Sequence, residues 1–252
     1  MLGEIGTFEW TRRTNGRLTR AERARYIAVV LGVQAKATPL LLASRLGWRS
    51  RRRAGLSDLD PPDSRVVRET AEACAELLPP FIVGHNYRSF LYARALAQFE
   101  GLRPDEEALF VAAMYHDAGA LEPDLSDGGR CFTLSGAEQA EARLRDAGFP
   151  ADSCELAADA VTLHANPTVS RKQGELAYVL HDGVLLDVVG LRSWQLEREA
   201  IRSVRERHPR LDATRKLGQL VKAQGDAIPA CRIAAAFQAG FGLAMKLGPW
   251  QD

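Results

Sequence analysis

The sequence lacks the cysteine patterns of zinc clusters and of disulfide-stapled domains. Its four cysteines are far apart, and no two of them are separated by only two residues; they are Cys74, Cys131, Cys154 and Cys231. The first residues also lack a basic start followed by an apolar leader. These absences predict reduced cysteines and a cytoplasmic location.

The chain also has little net charge. It carries 33 basic and 32 acidic side chains, which give a formal net charge of +1. This balance provides no overall field that would attract nucleic acid or an anionic membrane, so any charged partner must be met by a local group of charges. We therefore predict no nucleic-acid partner.

No apolar stretch of the sequence stands out as reaching the roughly 20 residues that a membrane-spanning helix needs. Even the segment RIAAAFQAGFGLAMKLG, residues 232–248, is interrupted by Gln238, Gly240 and Gly242. We therefore predict no membrane partner. The small residues of this segment suit either the core or the seam of a homo-oligomer, and the sequence leaves both open.

What the chain does have is helical periodicity. Almost every segment repeats its apolar residues with the period of a helix and almost none alternates like a strand, which predicts an all-α fold. The 252 residues, 46% of them hydrophobic, are enough for one sizeable core. We predict a helical extension with a basic connection over residues 1–60, and a helical core over residues 61–252.

Local start and stop signals place several of the helices. Thr19 stands three residues before Glu22, the spacing of a capping box, and Pro39 can open a second short helix in the first 50 residues. Gly101 closes a helix that begins near residue 85. The acidic residues after Pro104 open another helix, whose end carries a histidine and an aspartate in the segment ALFVAAMYHDAGA.

Four of the five histidines fall between residues 85 and 181; they are His85, His116, His164 and His181. A single histidine on a helix is more often structural than a ligand, but a group of them on several helices is what a metal site in a bundle requires. Imidazoles and carboxylates suit Zn²⁺, Fe²⁺ or Mn²⁺. The pattern therefore predicts a site for a divalent metal ion and leaves these three metals open.

The order of His85, then His116 and Asp117, then a later aspartate resembles the HD-domain superfamily of metal-dependent all-α enzymes. A closer likeness is to its cyanamide hydratase-like branch. The segments that carry this likeness, in order along residues 64–194, are HNYRSFLYARALAQFEG, LFVAAMYHDAGA, CFTLSGAEQA, VTLHANP and GVLLDVVGLR. The resemblance implies a small-molecule substrate and a helical bundle that holds one divalent metal ion between core helices, with zinc favoured over iron and manganese. It also implies a hydratase or hydrolase that adds water to a small carbon–nitrogen compound, such as cyanamide or a nitrile.

The resemblance assigns four metal ligands, which are His85, His116, Asp117 and Asp187. A second His-Asp pair, His181 and Asp182, competes for the last position, and we favour Asp187 because the likeness places that ligand in the DVVG segment. A charged Asp187 among apolar neighbours costs several kcal/mol unless something pairs with it, and a cation is one such partner.

The remaining site residues are predicted from their places beside the ligands. Asp117 and His164 are the candidate catalytic residues, with His164 also able to orient substrate or merely to end a helix. Asn86, Arg88 and His164 are the candidate substrate-binding residues, although Arg88 can instead pair with a carboxylate. We expect the loop LEPDLSDGGRCF, residues 121–132, to cover the site.

Three other functions use the same ligands. A phosphohydrolase needs several cationic side chains near the metal, and the motif segments supply few, Arg88, Arg94 and Arg130 among them. A di-iron oxygenase needs further histidines, which His164 and His181 can provide. A binding module without catalysis is the third alternative, and such a module gives no reason for a full set of metal ligands.

Overall fold

The computed structural model describes residues 2–56 and 58–250, and throughout these ranges the chain forms helices and turns without a β-strand. This confirms the predicted all-α fold. The helices are α1 Phe8–Thr14, α2 Arg20–Arg45, α3 Arg65–Leu77, α4 Pro80–Glu100, α5 Glu106–Tyr115, α6 Phe132–Asp146, α7 Ala151–Leu163, α8 Glu175–Val189, α9 Arg198–Arg207, α10 Ala213–Ala227, α11 Arg232–Gln238 and α12 Phe241–Leu247.

The core forms where α4 packs along α8, with α5 and α7 beside them. Helix α5 is buried from Ala108 to Tyr115, as expected for a segment that is apolar on every side. Gly183 lets α4 and α8 approach closely, because a Cβ atom at this position would overlap the carbonyl oxygen of Ser89. This close approach fixes the spacing of two helices that carry candidate site residues.

The helix boundaries next to the predicted site follow their local signals. The Asp105 side chain accepts a hydrogen bond from the backbone N–H of Ala108 and so begins α5. Gly101 ends α4 with a φ of 71°, in the left-handed region that glycine adopts without strain. Helix α5 ends at Tyr115, and this places His116 and Asp117 at its C-terminal end as predicted.

The prediction of two short N-terminal helices divided at Pro39 is wrong. Helix α2 is continuous over 26 residues, and Pro39 lies inside it. Pro39 is exposed, so water can satisfy the carbonyl group that the missing N–H leaves without its usual donor. The capping box at the start of α2 is confirmed, since Thr19 and Glu22 bond to each other's backbone N–H groups.

Helix α2 also corrects the expectation about apolar length. Within the described ranges it is the one helix long and apolar enough to cross a membrane by length and composition alone, which is weak evidence for a span. This apolar stretch is hard to recognise in the sequence, because the polar residues Gln34 and Lys36 interrupt its middle.

The first two helices pack onto the rest of the protein. The backbone N–H of Phe8 in α1 donates to Asp159 in α7 (2.6 Å), and the Tyr26 hydroxyl in α2 donates to the carbonyl of Ala165 (2.6 Å). The predicted boundary near residue 60 stays a prediction. Helix α2 lies beside α11, so the N-terminal segment and the C-terminal helices meet on one side of the core.

Candidate metal centre

Two helices of the core end in a histidine, and both histidines face the same place. His116 ends α5 and His164 ends α7, and each lies within hydrogen-bond distance of the carbonyl three residues earlier: Nδ1 is 2.7 Å from the Ala113 oxygen and 2.5 Å from the Val161 oxygen. A carbonyl only accepts, so each Nδ1 carries the proton and each Nε2 keeps a lone pair. The negative ends of two helix dipoles also point here, and together these features favour a cation.

Helix α4 contributes a third imidazole, whose Nδ1 also faces an acceptor. Nδ1 of His85 lies 2.7 Å from a carboxylate oxygen of Asp187, and an ionised carboxylate accepts a proton donor. Nε2 of His85 therefore also carries a lone pair. It lies 3.1 Å from Nε2 of His116, so two acceptors face each other at contact distance.

Asp117 completes the group. One carboxylate oxygen lies 3.5 Å from Nε2 of His85 and 3.5 Å from Nε2 of His116, and the other lies 3.6 Å from Nε2 of His164. All four side chains are buried. These acceptor atoms converge, and none of the described residues places a donor among them. Such atoms repel one another unless a cation lies between them.

The spacing of these atoms fits a metal ion. Bonds of about 2.1 Å at right or tetrahedral angles place the ligand atoms of one ion about 3.0–3.4 Å apart. The separations of 3.1, 3.5 and 3.5 Å lie close to this range. His85, His116 and Asp117 can therefore hold a metal ion, which agrees with three of the four predicted ligands.

The titration behaviour of the group agrees with its role as a set of acceptors. Burial lowers the pKa of His116 to about 3, which leaves the imidazole neutral at pH 7. Burial acts to raise the pKa of Asp117, but the imidazoles of His116 and His164 outweigh it and hold that pKa below its ordinary value. Asp117 is thus the group's source of negative charge.

The fourth predicted ligand, Asp187, lies on the other edge of the His85 ring, and its assignment to the metal is corrected here. Arg88 binds both of its carboxylate oxygens through Nε (2.8 Å) and Nη2 (2.9 Å), and Arg210 binds one through Nη1 (2.8 Å). Burial acts to raise the pKa of Asp187, but Arg88 and Arg210 with His85 hold it far below its ordinary value. Asp187 is paired with arginines and orients His85.

The two residues predicted to bind substrate from α4 point elsewhere. The Asn86 side-chain amide donates to the carbonyl of Met114 (2.7 Å) and so ties α4 to α5. Arg88 also donates to the carbonyl of Pro209 (3.0 Å), besides its bonds to Asp187. Neither residue lines the cavity at the site. Asn86 and Arg88 therefore hold the framework, and Arg88 takes the alternative role of pairing with a carboxylate.

The second His-Asp pair lies away from the group. Nδ1 of His181 is 2.9 Å from Asp182, and Nε2 is 3.0 Å from the carbonyl of Asn166. Asp182 also pairs with Arg192, which in turn pairs with Glu100. Both ring nitrogens of His181 are engaged with protein, so this residue is not placed to ligate an ion beside His116.

A cavity of about 140 Å³ reaches the group. His85, Asp117 and His164 lie on its surface, and aliphatic side chains of α2, α8, α11 and α12 form most of the rest. Among the residues described, those that line it include no lysine and no arginine. The loop expected to cover the site contributes only Phe132, at the start of α6, so that expectation is wrong for the loop itself.

Sequence reasoning missed the contribution of α2 to this cavity. Tyr26, Val30, Val33, Ala37 and Leu41 line it, and their spacing of three and four residues places them on one face of the helix. This periodicity was the available signal. The assumed break at Pro39 hid it, because it divided the face between two short helices.

Comparison of the chain with models of known protein families found no match, and comparison with curated proteins found none either. The likeness to the HD-domain superfamily therefore depends on the motif segments alone.

Proposed function

We propose that this protein is a metal-dependent hydratase of the HD-domain type that adds water to a small, neutral carbon–nitrogen compound. One observation carries the proposal: the acceptor group of His85, His116 and Asp117 lies at the surface of an apolar cavity whose described lining has no basic side chain. A metal ion satisfies the acceptors, and an uncharged substrate suits the rest of the cavity.

The ligand set fits zinc. Two imidazoles and one carboxylate form a known class of catalytic zinc site that keeps a position for water. A zinc ion bound there supplies hydroxide at neutral pH, because it lowers the pKa of its water to about 7. Asp187 keeps the Nδ1 proton on His85, so that Nε2 of His85 stays available as a ligand.

His164 is placed to handle a proton. Its Nδ1 proton is held by the carbonyl of Val161, and its Nε2 lies 3.6 Å from Asp117 at the cavity surface. Nε2 can accept a proton when the attacking water loses one, and return it to the substrate nitrogen as that atom gains electrons.

The cavity favours an aliphatic nitrile over cyanamide itself. A cavity of about 140 Å³ is comparable to the about 150 Å³ apolar cavity that accepts benzene in an engineered protein. Branched aliphatic side chains such as Val184, Val188 and Leu41 surround the space and have no hydrogen bond to offer a polar substituent. A hydrocarbon chain of a few carbons gains from burial there.

The rival functions find less support. A phosphate ester needs cationic partners, and the described lining of the cavity offers none. An oxygenase that recruits both His164 and His181 loses the second, since the ring nitrogens of His181 contact Asp182 and the Asn166 carbonyl.

The test is an assay of the purified chain after loading with zinc. Short aliphatic nitriles, cyanamide and a phosphate monoester are supplied in parallel, and amide, urea and phosphate are measured. We expect amide from the nitriles, little urea, and loss of activity in His116→Ala.

The matched control is Asp182→Asn, which alters the other His-Asp pair and is expected to keep activity. Release of phosphate alone would overturn the proposal in favour of a phosphohydrolase. A protein that retains its activity after removal of every metal ion would overturn it altogether.

A further inference from the structure

The outward face of α2 carries an apolar stripe. Ala28, Leu31, Ala35, Leu42 and Leu46 share one side of the helix, because the last four stand 3, 7, 14 and 18 residues after the first. All five are exposed, and the exposed fractions of Leu31, Leu42 and Leu46 are 51%, 55% and 90%. We call these five residues the α2 stripe. Such a continuous apolar surface calls for a partner.

Basic side chains stand at both ends of the stripe. Residues 23–57 contain eight of them and neither aspartate nor glutamate, although the whole chain is nearly neutral. Arg51, Arg52 and Arg53 follow the C-terminal end of α2 and are exposed, and no carboxylate of the described chain lies within ion-pair distance of them. Trp48, 46% exposed, lies between these arginines and the stripe.

The opposite face of α2 holds the helix against the protein. The Tyr26 hydroxyl donates to the carbonyl of Ala165, and Arg45 donates to the carbonyl of Gly248 (2.6 Å). The side chains that line the cavity lie on this inward face. Helix α2 therefore lies along the surface and presents one face outward, as an interfacial helix does.

We propose that the outward face of α2 docks on an anionic lipid bilayer. Leu31, Leu42 and Leu46 enter the boundary between headgroups and acyl chains, while the arginines meet the lipid phosphates. Trp48 lies at the headgroup level, where its amphipathic ring is favoured. The expectation of no membrane partner was drawn from the lack of a spanning apolar stretch and from the net charge of the whole chain; this proposal departs from it because the positive charge is concentrated locally.

Charge separates this partner from the other candidates. A second copy of the chain would bring basic ends of α2 against each other in a parallel arrangement, and in an antiparallel one Arg51–Arg53 would approach Arg20, Arg23 and Arg25. Nucleic acid would meet the arginines but would leave the leucines of the α2 stripe in water. An anionic bilayer satisfies both features, since its phosphates attract the arginines and its acyl chains accept the leucines.

The test is co-sedimentation of the full chain with lipid vesicles. One set contains only phosphatidylcholine, and the other also contains phosphatidylglycerol. We expect binding to the anionic set to exceed binding to the neutral set by about tenfold or more, and to weaken as salt is added.

Two variants separate the two features of the surface. Leu42→Glu with Leu46→Glu removes the apolar contact, and Arg51→Glu with Arg52→Glu reverses the charge; each pair is expected to weaken binding by about tenfold or more. The matched controls are Leu77→Glu, an exposed leucine on α3, and Arg103→Glu. Both controls should bind as the parent does, and circular dichroism confirms that every variant is folded.

Trp48 gives a readout that does not depend on the altered stripe. Its fluorescence should shift to shorter wavelength on anionic vesicles, and Trp48→Phe should remove that shift without abolishing sedimentation. His116→Ala should bind vesicles as the parent does, so failure of the proposed reaction and failure of this inference are distinguishable. No binding to anionic vesicles would overturn it, as would a dimer that Leu42→Glu with Leu46→Glu dissociates while vesicle binding is unchanged.

Discussion

The chain contains two His-Asp dipeptides, His116-Asp117 and His181-Asp182, in very different surroundings. The first ends a helix at the surface of a cavity, and its aspartate faces the imidazoles of His85, His116 and His164. The second lies within α8, where the aspartate pairs with Arg192. The carboxylate of Asp182 is thus neutralised by an arginine, whereas that of Asp117 is not, although both belong to the same dipeptide.

The charge of the side chains around each aspartate therefore indicates a candidate metal ligand better than the His-Asp dipeptide does. Arginine is always protonated, so Asp182 has a permanent partner and needs no ion. Asp117 has only imidazoles nearby, and burial lowers the pKa of His116 to about 3, so that this imidazole is neutral at pH 7. Asp187 obeys the same rule, since its arginines remove it from the ligand set.

The largest expected difference between the two pairs is in metal affinity. Asp117→Ala removes a carboxylate from the acceptor group and should weaken zinc binding by more than about 100-fold. Removing a residue that only supports a metal ligand typically weakens binding by about 10- to 100-fold. Asp182→Ala should leave the affinity unchanged. Competition titration with a chromogenic chelator measures both, and equal affinities in the two variants would break the comparison.

The second difference is in stability without metal, and it runs the other way. Asp182→Ala leaves the partly buried Arg192 with Glu100 as its remaining carboxylate partner, so the free energy of unfolding should fall by about 2–3 kcal/mol, somewhat less than for a fully broken buried pair. Asp117→Ala removes a carboxylate that faces imidazoles and no arginine, so the metal-free protein should lose less stability than in Asp182→Ala. Urea unfolding in the presence of a chelator gives both values. A larger loss in Asp117→Ala than in Asp182→Ala would contradict the assignment.

The third test concerns the carboxylate behind His85. Asp187→Asn keeps an acceptor for the Nδ1 proton but removes the charge that fixes the ring, so zinc affinity should fall by about tenfold. The chelator competition is performed at a temperature where circular dichroism shows the variant folded. A loss as large as that of Asp117→Ala would restore Asp187 to the ligand set.

The smallest expected effect tests the assumption that buried histidines stay neutral. His208 stacks on Tyr87, and burial lowers its pKa from 6.5 to about 4. The unfolded chain therefore binds a proton more readily between pH 6.5 and pH 4, and folding stability falls as the pH is lowered through that range. Because His208 is partly exposed, its share is about 1–2 kcal/mol, well below the full conversion of the shift.

Urea unfolding of the parent and of His208→Gln at pH 7 and pH 4.5 isolates this contribution. The variant should lose less stability on acidification than the parent, and an identical loss would mean that His208 is not the residue responsible.

Much of the fold was predictable because its signals are local. Gly101 and Asp105 mark the boundaries around α5 through backbone conformation and a capping bond that involve only a few neighbouring residues. His116 and Asp117 could be placed at a helix end for the same reason. Pro39 misled because a proline usually ends a helix, whereas here the affected carbonyl faces solvent.

The role of Asp187 could not be predicted, because its partners are distant in sequence. Arg88 lies 99 residues before it and Arg210 lies 23 residues after it. The packing of α4 beside α8 brings Arg88 to Asp187, and the connection between α9 and α10 brings Arg210. The cavity was hidden for the same reason. Its walls combine α2 with α11 and α12, which no local pattern connects.

The close contact at Gly183 limits how this protein can be redesigned. Helices α4 and α8 touch backbone to backbone there, and the hydrogen bond between His85 and Asp187 spans the same pair. A single added methyl group would push the helices apart and move the two partners out of register. The wall from α2 has a more tolerant position, since trimming the half-buried Leu41 enlarges the cavity. A protein engineer should therefore reshape the cavity through Leu41 and treat Gly183 as a fixed spacer.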